Sequence, residues 1–312
     1  MKQMTSMSME SAAQAMEVRV AALFKETRSE GGGLKAAVAQ LDEYVRNVQG
    51  LPQRGLWRRV SYSYVSEPIL SIDNLEQLIV KLSDTSGVWW SLRKSGSSLS
   101  DALVGHAKRV AQQSAEIQHI ASQLQRANGR ADEWETLARE EDLALSVRDL
   151  THVERMVAQV AGLRRETNAF QVQLSRYLAG IEHFREMHRR EVQPELDRVV
   201  KALDVVKVRE CNLWFEPLWT ICRRTSFEKA DRAQLRALFG ARHFQLAGVQ
   251  GNIEKLHTAW QAIGTYVDSA HNNLSKVRRQ RELALFMVYF KIFLGQWTQV
   301  AGHAERLREA FA

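Results

Sequence analysis

From Leu143 to Val206 an apolar residue recurs every three or four positions. The series is Leu143, Val147, Leu150, Val153, Val157, Val160, Leu163, Thr167, Phe170, Leu174, Tyr177, Ile181, Phe184, His188, Val192, Leu196, Val199, Leu203 and Val206. Its mean step is about 3.5 residues, the period at which a helix keeps one stripe on a partner and supercoils left-handed. At about 1.5 Å per residue such a helix would exceed about 90 Å. An isolated heptad helix exposes its seam, so a partner is required. Leu246, Val249, Ile253, Leu256, Trp260, Ile263, Val267, Ala270, Leu274 and Val277 repeat at the same period and supply one. The two stretches should therefore lie antiparallel. Pro194 lacks a backbone donor, but the repeat continues on both sides, so a kink rather than an end is expected.

Between the two rods lies Cys211-Asn212-Leu213-Trp214-Phe215-Glu216-Pro217-Leu218-Trp219-Thr220-Ile221-Cys222, followed by Arg223 and Arg224. Water does not reward so many large apolar side chains in one short segment. Tryptophan favours the membrane interface, because its ring is apolar and its N–H needs a polar partner. Arg223, Arg224 and Lys229 suit anionic headgroups at about 1 kcal/mol each near a charged surface. Leu213, Trp214, Phe215, Leu218, Trp219, Ile221, Arg223, Arg224 and Phe227 form the candidate contact site. Membrane contact, closure of the bundle end and a protein interface all remain open on the residues alone.

The rest of the chain reads as helices. One is expected over 8–28, broken by Gly31-Gly32-Gly33, and another over 34–49, ended by Gly50-Leu51-Pro52. Residues up to Pro68, with Trp57, Tyr62 and Tyr64, are read as a packed aromatic loop. Ser71 or Asp73 can cap the next helix. Ser95-Gly96-Ser97-Ser98 is read as a turn, with Trp89 and Trp90 as core anchors before it. Leu103, Val110, Ile117, Leu124, Ala131 and Trp134 then recur at helical spacing, with Asn128-Gly129 as a candidate break. Four prolines in 312 residues and almost no period-two runs complete the all-helical case. The expected fold is all-α: an elongated antiparallel coiled-coil stalk (101–210 and 244–279), a multi-helix tail bundle (1–100 and 280–312) and an apolar helical tip (211–243). The apolar run Leu283 to Leu294 contains Lys291, is too short to span a bilayer, and should pack with the N-terminal helices.

Catalytic chemistry finds no foothold. There is no GxSxG, Walker A or GxGxxG pattern. His183 and His188 are five apart, on different helix faces, unlike a zinc-binding i, i+4 pair. His188 falls on the seam as a core histidine. Glu140-Glu141-Asp142 reads as a solvated helical turn, and Lys276, Arg278, Arg279 and Arg281 as solvated cations. The long helices lack the paired inward Glu-x-x-His motifs of di-iron bundles. The chain is read as a non-enzyme without metal or cofactor. Cys211 and Cys222 are outside any metal-ligand spacing and read as buried thiols, a disulfide remaining open. A net charge of +7 suits an acidic partner, but it is spread along the rods without a nucleic-acid-binding signature, so nucleic acid is not expected. The N-terminus has no apolar core of a secretory signal. A protein made soluble without a Sec signal is expected.

The long stalk, the aromatic tip, the helical tail and the pattern Phe290-x-x-Phe293-Leu294-x-x-Trp297-x-x-Val300-x-x-x-Ala304-x-x-Leu307 together resemble the alpha-xenorhabdolysin family of two-component α-helical pore-forming toxins, on the side of the smaller B component. The likeness covers roughly residues 100 to 312. Gly295-Gln296 stand where the family usually has a proline. The resemblance implies a binary cytotoxin subunit, released or secreted, that hetero-oligomerises with a larger A-type component on the target-cell membrane. The other reading from the residues is a coiled-coil scaffold or secretion-associated adaptor whose tip binds a protein.

Overall fold

Helices account for nearly all of the structure, a computed structural model that describes residues 8–29, 33–51, 67–125, 133–140, 142–206, 229–239 and 247–311. In chain order they are α1 (Met9–Ser29), α2 (Gly33–Gln49), α3 (Ile72–Ser122), the single turn α4 (Trp134–Leu137), α5 (Val147–Met187), α6 (Gln193–Val205), α7 (Lys229–Phe239), α8 (Ala247–Leu274) and α9 (Gln280–Phe311). A 3-10 turn, Pro68–Leu70, precedes α3, and a π turn, His188–Val192, joins α5 to α6. The described residues contain no strand, only an isolated bridge between Ala144 and Arg279. The chain is all-α, as its periodicity requires.

Local chemistry sets the helix starts. The Ser71 hydroxyl accepts the Asn74 N–H at 3.4 Å, an N-cap of α3. At the start of α5, the Asp149 N–H donates to Ser146 Oγ (3.1 Å), and the Ser146 hydroxyl donates to Asp149 Oδ2 (2.8 Å). The other oxygen of Asp149 accepts the Gln125 N–H at 2.8 Å, tying this cap to the end of α3. Before α9, Glu282 Oε2 accepts the N–H groups of Arg278 (2.8 Å) and Arg279 (3.2 Å).

The chain packs as two compact units. The first comprises residues 1–35, 95–178 and 249–312, the second residues 36–94 and 179–248. These are units of packing, whereas the tail, stalk and tip read from the sequence are stations along a hairpin. In the first unit, α5 meets α3 antiparallel. Tyr177 stands over Gly96, Phe170 against His106, Glu166 on Arg109 and Arg155 on Glu116, so one number rises as the other falls. Helix α8 pairs with α5 the same way, through Ser175–His257 (3.0 Å), Phe170–Trp260 (4.4 Å between centroids) and Arg164–Asp268 (2.5 Å). The expected antiparallel rods are present here, and Val249 to Val277 of the second repeat are buried at every expected position. Helix α9 fills the bundle with Phe286, Phe290, Phe293 and Trp297, and α1 packs on it. Two indole N–H groups cross-link helices: Trp260 donates to Thr167 O (2.9 Å) and Trp297 to Ala107 O (3.2 Å).

In the second unit, Trp89 packs on Phe184 at 5.8 Å, and its N–H donates to Asp42 Oδ1 at 2.9 Å. Arg93 binds the other Asp42 oxygen at 3.0 Å. Lys81 pairs with Glu195, and α6 packs on α7. Ile181, Val199 and Leu203, expected to face the second repeat, are buried inside this unit.

Four local readings are corrected. Helix α3 runs unbroken through Ser95-Gly96-Ser97-Ser98, because the small residues serve a close approach: a Cβ on Gly96 would lie 2.6 Å from Phe311 Cε1 and from Tyr177 Oη. Trp90, read with Trp89 as a core anchor, is 37% exposed. Leu143 and Val147, counted in the seam, are exposed at 36% and 83%, since α5 begins only at Val147. Asp142 lies outside any helix and pairs with Arg279 at 3.0 Å.

Candidate functional site

The nine tip residues Leu213, Trp214, Phe215, Leu218, Trp219, Ile221, Arg223, Arg224 and Phe227 lie outside the described residues, as do Cys211, Cys222, Trp57, Tyr62, Tyr64 and Asn128-Gly129. The structure does define the two helices that bracket the tip. Helix α6 places Leu196, Val199, Ala202 and Leu203 on one buried face, and its last residue, Val205, is 71% exposed. Helix α7 begins at Lys229 and buries Leu235 and Phe239. Arg236 Nη2 of α7 meets Asp204 Oδ1 of α6 at 2.7 Å. The helices that precede and follow the aromatic segment in sequence therefore lie side by side in one unit.

Outside this segment the described side chains speak for packing. His188 is buried on the seam, with Nε2 3.3 Å from the Tyr44 hydroxyl and the two rings edge-on at 5.9 Å. Lys276, Arg278, Arg279 and Arg281 are exposed. No cluster of three metal-ligating side chains occurs among the described residues. His106, on α3, lies beneath Phe170 and Trp260, with Nδ1 2.9 Å from Glu166 Oε2 and 3.1 Å from Arg109 Nη2. Burial lowers its pKa, Arg109 adds to this, and Glu166 opposes it. An imidazole buried under two aromatic rings and held by an ion pair is a packed core group.

The apolar run 283–294 is only part of a longer element, because α9 continues helically to Phe311. Among the described residues it is the one helix long and apolar enough to cross a membrane by length and composition, and 44% of its most apolar stretch is buried. Its aromatic side chains form a ladder with α8: Phe286 on Phe290, Phe290 on Phe293, and Phe293 stacked on Tyr266 at 5.2 Å. That is how a core helix packs.

No protein-family model and no curated protein matches this sequence. Solved structures similar to it include the following. YaxA from Yersinia enterocolitica gives a TM-score of 0.48 at 11% identity, and XaxA from Xenorhabdus nematophila 0.46 at 13%. The XaxAB pore complex from Xenorhabdus nematophila gives 0.42 at 13%. Each covers 89% of this chain and 96% of the other. These are alpha-xenorhabdolysin proteins, the family that the sequence resembles. The resemblance read there was to a B component, whereas the two single-protein structures are XaxA and YaxA. Identities are low and every TM-score is below 0.5, so a function for this chain has to be derived from its own residues.

Proposed function

We propose that this chain is a non-enzymatic subunit of a two-component α-helical pore-forming cytotoxin. It is released or secreted, hetero-oligomerises with a larger A-type component, and acts at the target-cell membrane through residues 211–227. The observation that carries this is the aromatic–basic segment that lies in sequence between α6 and α7, two neighbouring helices joined by the Arg236–Asp204 ion pair. Trp214, Phe215, Leu218, Trp219 and Ile221 supply apolar area for the acyl boundary, and Arg223 and Arg224 supply charge for phosphate headgroups. Burying Trp214 and Trp219 contributes about 1.5–3 kcal/mol each by area.

The test is the double change Trp214→Ser and Trp219→Ser. Melting temperature is measured beside dye release from phosphatidylcholine–phosphatidylglycerol vesicles, with and without the candidate larger component. The proposal expects a nearly unchanged melt and loss of release. A large loss of stability marks the segment as the closed end of the bundle. A well-folded variant that still releases dye removes the tip from the mechanism. Release by neither wild type nor variant, with loss of binding to a protein partner, leaves the scaffold function in its place.

A further inference from the structure

The seam of α5 and α6 contains one residue too many. A heptad helix steps three, four, three, four. Here the buried positions Leu174, Tyr177, Ile181, Phe184 and His188 obey that rule, and so do Leu196, Val199, Leu203 and Val206. Between them, Phe184 to His188, His188 to Val192 and Val192 to Leu196 are three consecutive steps of four. The π turn His188–Val192 absorbs the surplus: the Gln193 N–H donates to His188 O, five residues back, instead of four. Pro194, the next residue, has no N–H to close an ordinary helical bond at this point.

Without the π turn, a regular helix running on from His188 would place Glu191, Glu195, Arg198, Ala202 and Val205 on the seam. Each residue of helix turns the face by about 100°. Leu196, Val199, Leu203 and Val206 would then be turned about 100° off the seam. In the observed seating they are buried, while Arg198 and Val205 are exposed. The Lys81–Glu195 ion pair joins α3 to α6 in that seating. Helix α6 leads directly into the aromatic segment, so its apolar face and the tip are continuous in sequence.

We infer that the π turn is a pivot that gives α6 two seatings, and that in the second the Leu196–Val199–Leu203–Val206 face meets the acyl region of a lipid bilayer. This extends the membrane reading above and rests on it. Turning Glu191, Glu195 and Arg198 toward the seam is unfavourable in water, and a bilayer supplies the compensating burial of four large apolar side chains. Deleting Arg190 removes the surplus residue. The steps from His188 onward then alternate, so the apolar face stays on the bundle without a π turn and the pivot is lost.

The experiment places bimane on Val206→Cys in a Cys211→Ser, Cys222→Ser background and reads quenching by vesicles containing phosphatidylglycerol and brominated acyl chains. The full-register chain should be quenched, and the same chain lacking Arg190 should fold, by circular dichroism, and lose the quenching. Absence of quenching in the full-register chain, or equal quenching in both, overturns the inference. If the deletion does not fold, Lys81→Cys and Glu195→Cys bridged by a short bis-maleimide hold α6 in place instead. Bridging should then abolish the quenching, and persistence overturns the pivot. Dye release measured in parallel reports on the pore itself: quenching without release sinks the pore reading and leaves the pivot standing.

Discussion

His303 sits in the buried face of α9 at 3% exposure, and its pKa is lowered to about 4, first by burial and then by the Arg306 charge. The folded protein therefore binds that proton less readily than the unfolded chain. Stability falls as pH drops from about 6.5 toward about 4, with a loss of about 3 kcal/mol over that window. His106 acts in the same direction, because burial lowers its pKa also. Urea unfolding at stepped pH should show this acid limb, and His303→Phe should flatten it. Tyr266 presents a different cost. Its ring is 1% exposed and stacked on Phe293, yet its hydroxyl has no hydrogen-bond partner among the described residues, and burial pushes its pKa far up. A buried unsatisfied hydroxyl costs about 1–3 kcal/mol. Tyr266→Phe should accordingly raise the melting temperature, and a lower one would mean that the hydroxyl is satisfied in solution.

Among the elements, α3 shows what a sequence reading sees and misses. Leu103, Val110, Ile117 and Leu124 were legible because burial at helical spacing leaves an apolar trace. Ser95-Gly96-Ser97-Ser98 has the look of a turn because serine and glycine are turn formers in isolation. In the folded chain the Ser100 hydroxyl donates to Ser97 O within the helix at 2.7 Å, and Gly96 makes room for the rings of Tyr177 and Phe311. Only the distant partners reveal that purpose. Gly96→Val should overpack this crossing and cost about 1–3 kcal/mol, measured by chemical denaturation. An unchanged midpoint would show that Phe311 moves aside freely. On α5, Leu174 is fully buried. Leu174→Asp should cost at least about 3 kcal/mol by burying an unpaired carboxylate, and a wild-type melt would refute the assigned register. The surplus residue at the π turn was present in the step pattern, but an average step near 3.5 hides one extra residue, and only Pro194 stands out as an irregularity.

For the whole molecule, the seam periodicity made the all-helical class and the antiparallel pairing of α5 with α8 legible, since both follow from burying a long apolar stripe. Far-UV circular dichroism should show the double minimum of a helical protein with no strand component. The division into packing units was not legible. It depends on which residues of a continuous helix find partners at 36–94 and which find them at 249–312, and periodicity does not encode partner choice. The candidate site was legible only as chemistry, six large apolar residues followed by two arginines, whereas the Arg236–Asp204 pair that joins the flanking helices does not show in the sequence.

The Trp297 bond to the carbonyl of Ala107 spans 190 residues of chain. At about 5–20 residues per second, a ribosome needs on the order of ten seconds or more to travel that distance. Helices α3 and α5 can pair early, because little chain separates them. The space that Phe286, Phe290, Phe293 and Trp297 fill must wait for α9 and stay greasy and open to water meanwhile. Newborn chains are therefore most vulnerable to capture by chaperones, or by one another, during this interval. Expression yield should respond more to the speed of translating the final third of the message than to that of the first.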